Sequence, residues 1–248
     1  VISAAVTVYF WSFMLLTSLI LFPIAVLIRL VTGPFDRRLT VLHRFTSFWG
    51  SLYTWGNPLW RVEITGAEHL ASSVPRVMVA NHQSFVDILL LFRLRAHYKW
   101  VSKAENFRVP LIGWNMSLNR YIRIERGSLR GNLKMMRDSE KALQEGNSVM
   151  IFPEGTRSED GRMRPFKEGA FELALRTRAA ILPIVIAGSA EALPKRGILL
   201  RGKRAMTVRI LPPILPESFR GKDARQLSQE VAALMATTLA TGVAAARG

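Results

Sequence analysis

A histidine and an aspartate with four residues between them, His82 and Asp87 in VMVANHQSFVDILLL (77–91), carry the first chemistry legible in this chain. An aspartate bonded to one imidazole nitrogen fixes the ring's tautomer and leaves the other nitrogen free to take a proton, which is the arrangement of a general base. The spacing restricts how the two can meet. On one regular helix, residues five apart point about 140° away from each other, given the 3.6-residue repeat. They can touch only if His82 lies in a loop ahead of the helix that carries Asp87. The order of residues supports that placement, with VMVA a buried strand, NHQS a polar break and FVDILLL an apolar helix. Ser84 and Asp87 also form S-x-x-D, a capping box that starts the helix at Ser84. A plainer role fits the same residues, Asp87 only capping and His82 only filling a turn, and the pattern leaves both open. His43, His69 and His97 have no comparable setting and read as structural or surface residues.

A second constellation is IFPEGTRSEDGRMRPFKEGAF, 151–171. A strand ends at Phe152, Pro153 stops it, and Glu154, Gly155, Thr156 and Arg157 follow in a loop. In α/β folds the carboxyl ends of parallel strands are where ligands gather. Gly155 permits close backbone approach, and Arg157 can grip a phosphate with two parallel bonds. Asp160-Gly161 reads as a tight turn that swings Arg162, Arg164 and Lys167 back towards the same spot. An ordinary polar loop with solvated charges would have the same composition. H-E-x-x-H, G-x-S-x-G and Walker-type glycine loops are all missing, so zinc-hydrolase, serine-hydrolase and nucleotide-hydrolase chemistry has no support. The chain has no cysteine, which excludes disulfides, thiol nucleophiles and thiolate metal sites.

The elements that must position these residues alternate. Strands are expected at 61–65, 76–80, 148–152, 179–188 and 205–211, and helices at 84–95, 128–144, 167–177 and 224–240. That order predicts an α/β fold with a mixed, mostly parallel sheet flanked by helices, over a domain spanning 59–248. Residues 1–58 differ in texture. No charged residue occurs from Val1 to Ile28, and a continuously apolar run of about 20 residues is long enough to cross a bilayer core. A cleaved signal peptide fits less well, since no basic residues precede the run and no small-residue cleavage site clearly follows it. Arg29, Arg37, Arg38 and Arg44 follow, as expected on a cytoplasmic side. Aromatic residues from Phe45 to Trp60 suit the headgroup boundary. With Pro23 as a kink, 1–58 is expected to form a membrane-associated helical hairpin entering one leaflet; a buried hairpin in a soluble protein is the alternative. The 49% hydrophobic content and net charge of +16 suit an anionic surface, and the apolar N-terminus makes that surface lipid rather than nucleic acid.

Taken together, NHQSFVD, SKAENFRVPLIGWNMSLNRYIRIERGS, FPEGTRS and ILPIVIAG resemble the four blocks of the glycerolipid acyltransferases, over roughly residues 60 to 215. The resemblance is closest to the 1-acylglycerol-3-phosphate O-acyltransferase (lysophosphatidic acid acyltransferase) branch. Two positions depart from that pattern: Asn106, where relatives usually carry leucine, and Glu125, where an aspartate often precedes the arginine. The second leaves acceptor identity open. The resemblance implies acyl transfer from a thioester to a lysophospholipid hydroxyl, with His82 as base and Asp87 orienting it and no covalent enzyme intermediate. Backbone N–H groups near Gly155 or Lys103 would meet the oxyanion. Arg126 and Arg157 would hold the acceptor phosphate, helped by Lys103 and Lys167, with Glu154, Gly155 and Thr156 completing the loop. It implies no metal and no bound cofactor, only acyl-CoA or acyl carrier protein as donor, and membrane lipid as partner. The expected location is the inner or plasma membrane, with the catalytic domain on the cytoplasmic side. An acyltransferase for another lyso-lipid, such as lyso-ornithine lipid, and a non-catalytic lipid-binding protein remain the alternatives.

Overall fold

The computed structural model describes residues 2–159 and 161–245. Two helices, α1 (Ile2–Thr32) and α2 (Thr40–Trp55), precede β1 (Trp60–Thr65), β2 (Val77–Ala80), α3 (Val86–Phe92), β3 (Tyr98–Lys103), α4 (Ile112–Leu118) and β4 (Ile122–Ile124). Then come α5 (Leu129–Gln144), β5 (Ser148–Ile151), α6 (Gly169–Thr177), β6 (Ile181–Ala187), α7 (Ser189–Ala192), β7 (Arg204–Ile210) and α8 (Ala224–Ala245). The strands form one sheet in the order β1-β7-β6-β2-β5-β3-β4. All neighbours are parallel except β6 and β7. The mixed, mostly parallel sheet expected from the alternation is present.

The central strands β2 and β6 are apolar at every position, and β5 at all but Ser148, because both faces are covered. Met78, Ala80, Met150, Leu182 and Ile184 point into one core with α1, α2 and α3. Their neighbours Val77, Val79, Val149, Ile181 and Val185 point into the other, with α5, α6 and α8. The five expected strands appear within two residues of their bounds. Two strands lay outside the reading. β3 carries Lys99 and Lys103, which break the apolar signal, and β4 is three residues long. Lys99 is nevertheless buried, its ammonium donating to the Arg38 and Asn119 carbonyls at 2.9 Å each. It ties the α1–α2 turn to the end of α4. Burial lowers its pKa to about 8.

The helix at Asp87 begins at Val86, two residues later than the capping box placed it. Ser84 is drawn away from a standard cap because its hydroxyl donates to the Leu193 carbonyl at 2.6 Å, while accepting from the Val86 N–H.

α1 is long and apolar enough to cross a membrane by length and composition. One face, with Phe10, Met14 and Ala25, joins the first core, while Leu15, Leu16, Leu19, Ile20 and Leu27 on the other are exposed. The aromatic residues that follow do not all face outwards as the headgroup reading had it. Trp49, Tyr53 and Trp60 are buried in the core, and Phe48 and Trp55 are exposed. Residue 58 falls in the turn between α2 and β1, and packing runs across it.

Candidate active site

β2 ends at Ala80 and β5 at Ile151, side by side in the sheet, so the NHQS and FPEG loops leave the same edge together. Asn81 continues β2 without backbone pairing. Its buried side chain donates to the Ile186 carbonyl (2.8 Å) and accepts from the Ile186 N–H (2.7 Å), imitating a strand neighbour. That pins the residue before His82 to β6.

The imidazole Nδ1 of His82 lies 2.9 Å from Asp87 Oδ2. The same oxygen accepts the N–H groups of Gln83 (2.6 Å) and Ser84 (2.7 Å). A carboxylate oxygen only accepts, so in this pair Nδ1 is the donor and Nε2 is left to take a proton from a substrate. Asp87 is fully buried, and its other oxygen has no partner among the described residues. The ring is clamped as well as polarised. It stacks on Phe152 with centroids 3.9 Å apart and planes within 10°. The His82 N–H donates to Glu154 Oε1 (2.7 Å), and its carbonyl accepts the Ser158 N–H (2.8 Å).

Glu154 therefore builds the site from below. It is buried, and its second oxygen accepts the Arg164 N–H at 2.9 Å. Burial pushes its carboxyl up to about 7, against the pull of those two N–H donors, with the Asp87 charge adding to the rise. Gly155 has φ +71°, where a side chain would be strained, and the stem of Lys167 packs against it. Its own N–H donates to the Phe152 carbonyl, which leaves other backbone N–H groups near Gly155 or Lys103 for an oxyanion. Of the expected turn, Asp160 lies outside the described residues, and Gly161 has φ +76°. Lys167 returns to the site, but Arg164 contributes its backbone N–H, and neither Arg162 nor Arg164 lines the cavity.

That cavity, of about 930 Å³, is lined by His82 together with Lys103, Arg126, Gly155, Thr156, Arg157 and Lys167. Lys195 and Arg176 line it too, and sequence reasoning missed both. Each is matched by acids: Lys195 by Glu159 at 3.2 Å, Arg176 by Glu140 at 2.6 Å and Glu172 at 3.4 Å. Among the described residues, Lys103, Arg126, Arg157 and Lys167 form no ion pair, so four matched-free cations face one volume. Much of the rest of the wall is apolar, from Phe85, Ile88 and Phe92 to Met14 of α1 and Trp49 and Tyr53 of α2, with Thr46, Ser102, Asn106, Asn115 and Asn132 among it. Gln83 was also missed: its amide spans from the Gly161 carbonyl (2.8 Å) to the Ser189 hydroxyl (3.3 Å), bracing the loop from beneath. No group of three or more His, Asp or Glu among the described residues could hold a metal ion.

The acyltransferase family model matches residues 61–187. A 1-acyl-sn-glycerol-3-phosphate acyltransferase of Chlamydomonas reinhardtii is 36% identical over 240 residues, covering 95% of this chain and 69% of that one. A chloroplastic protein of the same name from Arabidopsis thaliana is 35% identical over 213 residues. The chain spans 57% of that relative's length. The crystal structure of the 1-acyl-sn-glycerophosphate acyltransferase PlsC from Thermotoga maritima superposes with a TM-score of 0.77 over 96% of this chain and 95% of that one, at 21% identity.

Proposed function

The chain belongs to the acyltransferase family, and from that membership we propose that it moves an acyl chain from an acyl thioester to the free hydroxyl of 1-acylglycerol-3-phosphate, giving phosphatidic acid. The observation that carries this reading is one cavity with a clamped histidine between unpaired cations and an apolar interior. Such a space suits a molecule with a phosphate at one end and a hydrocarbon chain at the other.

In the reaction, Nε2 of His82 takes the proton from the acceptor hydroxyl as its oxygen bonds to the thioester carbonyl carbon. Asp87 offsets the charge of the imidazolium. The tetrahedral intermediate then collapses, the carbon–sulfur bond breaks, and the departing thiolate takes the proton from Nε2. Atoms balance without a covalent enzyme intermediate. With the Gly155 N–H already bonded, the oxyanion is met by other backbone N–H groups near Gly155 or Lys103 and by the cations lining the cavity. Arg126 and Arg157 hold the acceptor phosphate, with Lys103 and Lys167 adding charge. Glu154 acts by holding His82 and the arginine loop rather than as an acid.

The acceptor and product are bilayer lipids, and α1 keeps the cavity at the membrane. Arg29, Arg37, Arg38 and Arg44, following the apolar run, favour the cytoplasmic face of an inner or plasma membrane. The donor is acyl-CoA or acyl carrier protein; a chain of charge +16 attracts either acidic partner.

The test is purified protein offered a panel of lyso-lipids and both donors, with products weighed by mass spectrometry. Exclusive acylation of an acceptor without a phosphate would overturn the assignment. Arg157→Ala removes a charge-assisted contact of about 1.5–3 kcal/mol. That is roughly 10- to 150-fold in kcat/KM for the phosphorylated acceptor. Uncharged monoacylglycerol should lose far less, and Arg157→Lys should recover only part, for want of the planar two-bond grip. An unchanged preference for the phosphorylated acceptor in Arg157→Ala would remove this residue from the site.

A further inference from the structure

Beyond Lys195, which lines the cavity, the connection between α7 and β7 has no part in the chemistry above, yet its shape is unusual. Ile198 and Leu199 are 67% and 61% exposed, side by side at the tip, while Leu200 beside them is buried in the core. Residues 195–204, KRGILLRGKR, contain five cations and no acid. Gly197 and Gly202 flank the tip in backbone conformations that side chains rarely adopt, with open space around both. A loop serving only solubility would not present two adjacent large aliphatic side chains to water.

Its attachments say where it points. Trp11 of α1 donates its indole N–H to the Ile198 carbonyl at 2.9 Å, and the Leu200 N–H donates to Thr7 Oγ1 of α1 at 2.9 Å. The tip therefore stands beside the N-terminal half of α1, whose outer face exposes Val8, Leu15 and Leu16. On the other side, Lys195 and Arg196 both reach Glu159 of the loop that carries Arg157, at 3.2 and 3.3 Å.

We propose that residues 195–204 form a second membrane contact, in which Ile198 and Leu199 enter the acyl region of a bilayer containing anionic phospholipid and the surrounding lysines and arginines meet its headgroups. The inference rests on the reading that α1 lies at the membrane. Aliphatic side chains ringed by cations match an interface with hydrocarbon beneath and phosphate above. An acidic carrier protein would be drawn by the same charges but would leave the aliphatic tip without an apolar partner. Through Glu159 the contact also braces the Arg157 loop against the membrane.

The absence of cysteine makes the test direct. Ile198→Cys, Leu199→Cys, Leu16→Cys on the outer face of α1 and Ser72→Cys on a distant exposed loop are each labelled with an environment-sensitive fluorophore in the full chain. The labelled proteins are then reconstituted into phosphatidylglycerol-containing vesicles with or without nitroxide-bearing lipid. Labels at 198 and 199 should shift to the blue and lose most of their emission to the nitroxide, as at 16, while the label at 72 keeps both. Quenching at 16 with none at 198 or 199 overturns the proposal and leaves the placement of α1 standing. No quenching at 16 either would overturn both. Shielding of 198 and 199 by added acyl carrier protein, and not by vesicles, would assign the loop to the donor and overturn the membrane contact.

Discussion

One oxygen of Asp87 accepts three hydrogen bonds while the other, also buried, accepts none from the described residues. Capping and orienting were alternatives in the sequence; in the structure the same atom does both, because the loop ahead of α3 wraps its N–H groups around it. An asparagine there can keep a carbonyl oxygen facing the three donors only by burying its NH₂ where no acceptor lies. Asp87→Asn should therefore cost about 1–3 kcal/mol of stability and also remove the charge opposite the imidazolium. Its turnover should fall towards that of His82→Ala, itself about 10²- to 10⁴-fold below wild type. Thermal unfolding and kcat at saturating donor separate the two effects, and near-normal turnover in His82→Ala would remove the base from the mechanism. Glu154 gives a pH signature. Its carboxyl holds a proton up to about pH 7 in the folded chain and loses it near 4.5 when unfolded. The folded state thus binds more protons in that window, so this stabilisation is fully present below about 4.5 and is lost as pH rises through 7. His43 and His97, held neutral by burial, act with opposite sign, losing stability as pH falls. Glu154→Gln removes the one titration and leaves the others. The unfolding free energy of wild type minus that of the variant, measured in detergent with urea, should decline between about pH 4.5 and 7. A difference flat across that window would mean the carboxyl is already ionised there.

α2 and α3 meet closely because Gly50 leaves room for the Phe92 ring; a Cβ at Gly50 would fall 2.4 Å from its Cδ2. Both residues line the cavity, so the seam that holds the helices together also shapes the space beside His82. Gly50→Ala must push Phe92 or the helix aside, at about 1–3 kcal/mol for overpacking. A fall in melting temperature with the apolar wall distorted is the expected result, and an unchanged melting temperature would show the seam to be slack. That contact could not be read from the sequence, where Gly50 is one small residue among aromatics. The same limit governs α2 as a whole. Its apolar stripe was legible, but a stripe has no label for lipid or protein, and Trp49 and Tyr53 turned out to face the core. β3 shows the converse. Lys99 reads as solvent-facing until the Arg38 and Asn119 carbonyls, distant in sequence, come together around its ammonium. What was legible was local: strand ends, the loop before Asp87, and the clustered charges of FPEGTR. Lys195 and Arg176 were not, since they reach the site from segments whose own sequence carries no chemical pattern, and Gln83, although inside NHQSFVD, has its partners Gly161 and Ser189 far along the chain.

Across the whole molecule, the long apolar helix α1 and the catalytic space share walls. Met14 of α1 lines the cavity, and Phe10, Met14 and Ala25 complete a core that also contains Trp60 and Leu200. Polar contacts deepen the union, with the Tyr53 hydroxyl 3.1 Å from Thr17 Oγ1 and 3.2 Å from Ser18 Oγ. An anchor attached by a linker could be removed to leave a working soluble enzyme; α1 is not attached in that way. Each buried side chain such as Phe10 or Met14 contributes about 1.5–3 kcal/mol, and a domain's net stability is only about 5–15 kcal/mol. Deleting residues 2–32 would remove several such contributions at once and leave Tyr53 and Trp60 facing solvent. The truncated chain, kept in detergent, should lack a cooperative unfolding transition and should not transfer acyl groups even to acceptor presented in mixed micelles. Calorimetry and a micellar assay check this together. A truncated chain that melts at the wild-type temperature and keeps its micellar turnover would show α1 to be an anchor only, with the cavity closed by other residues.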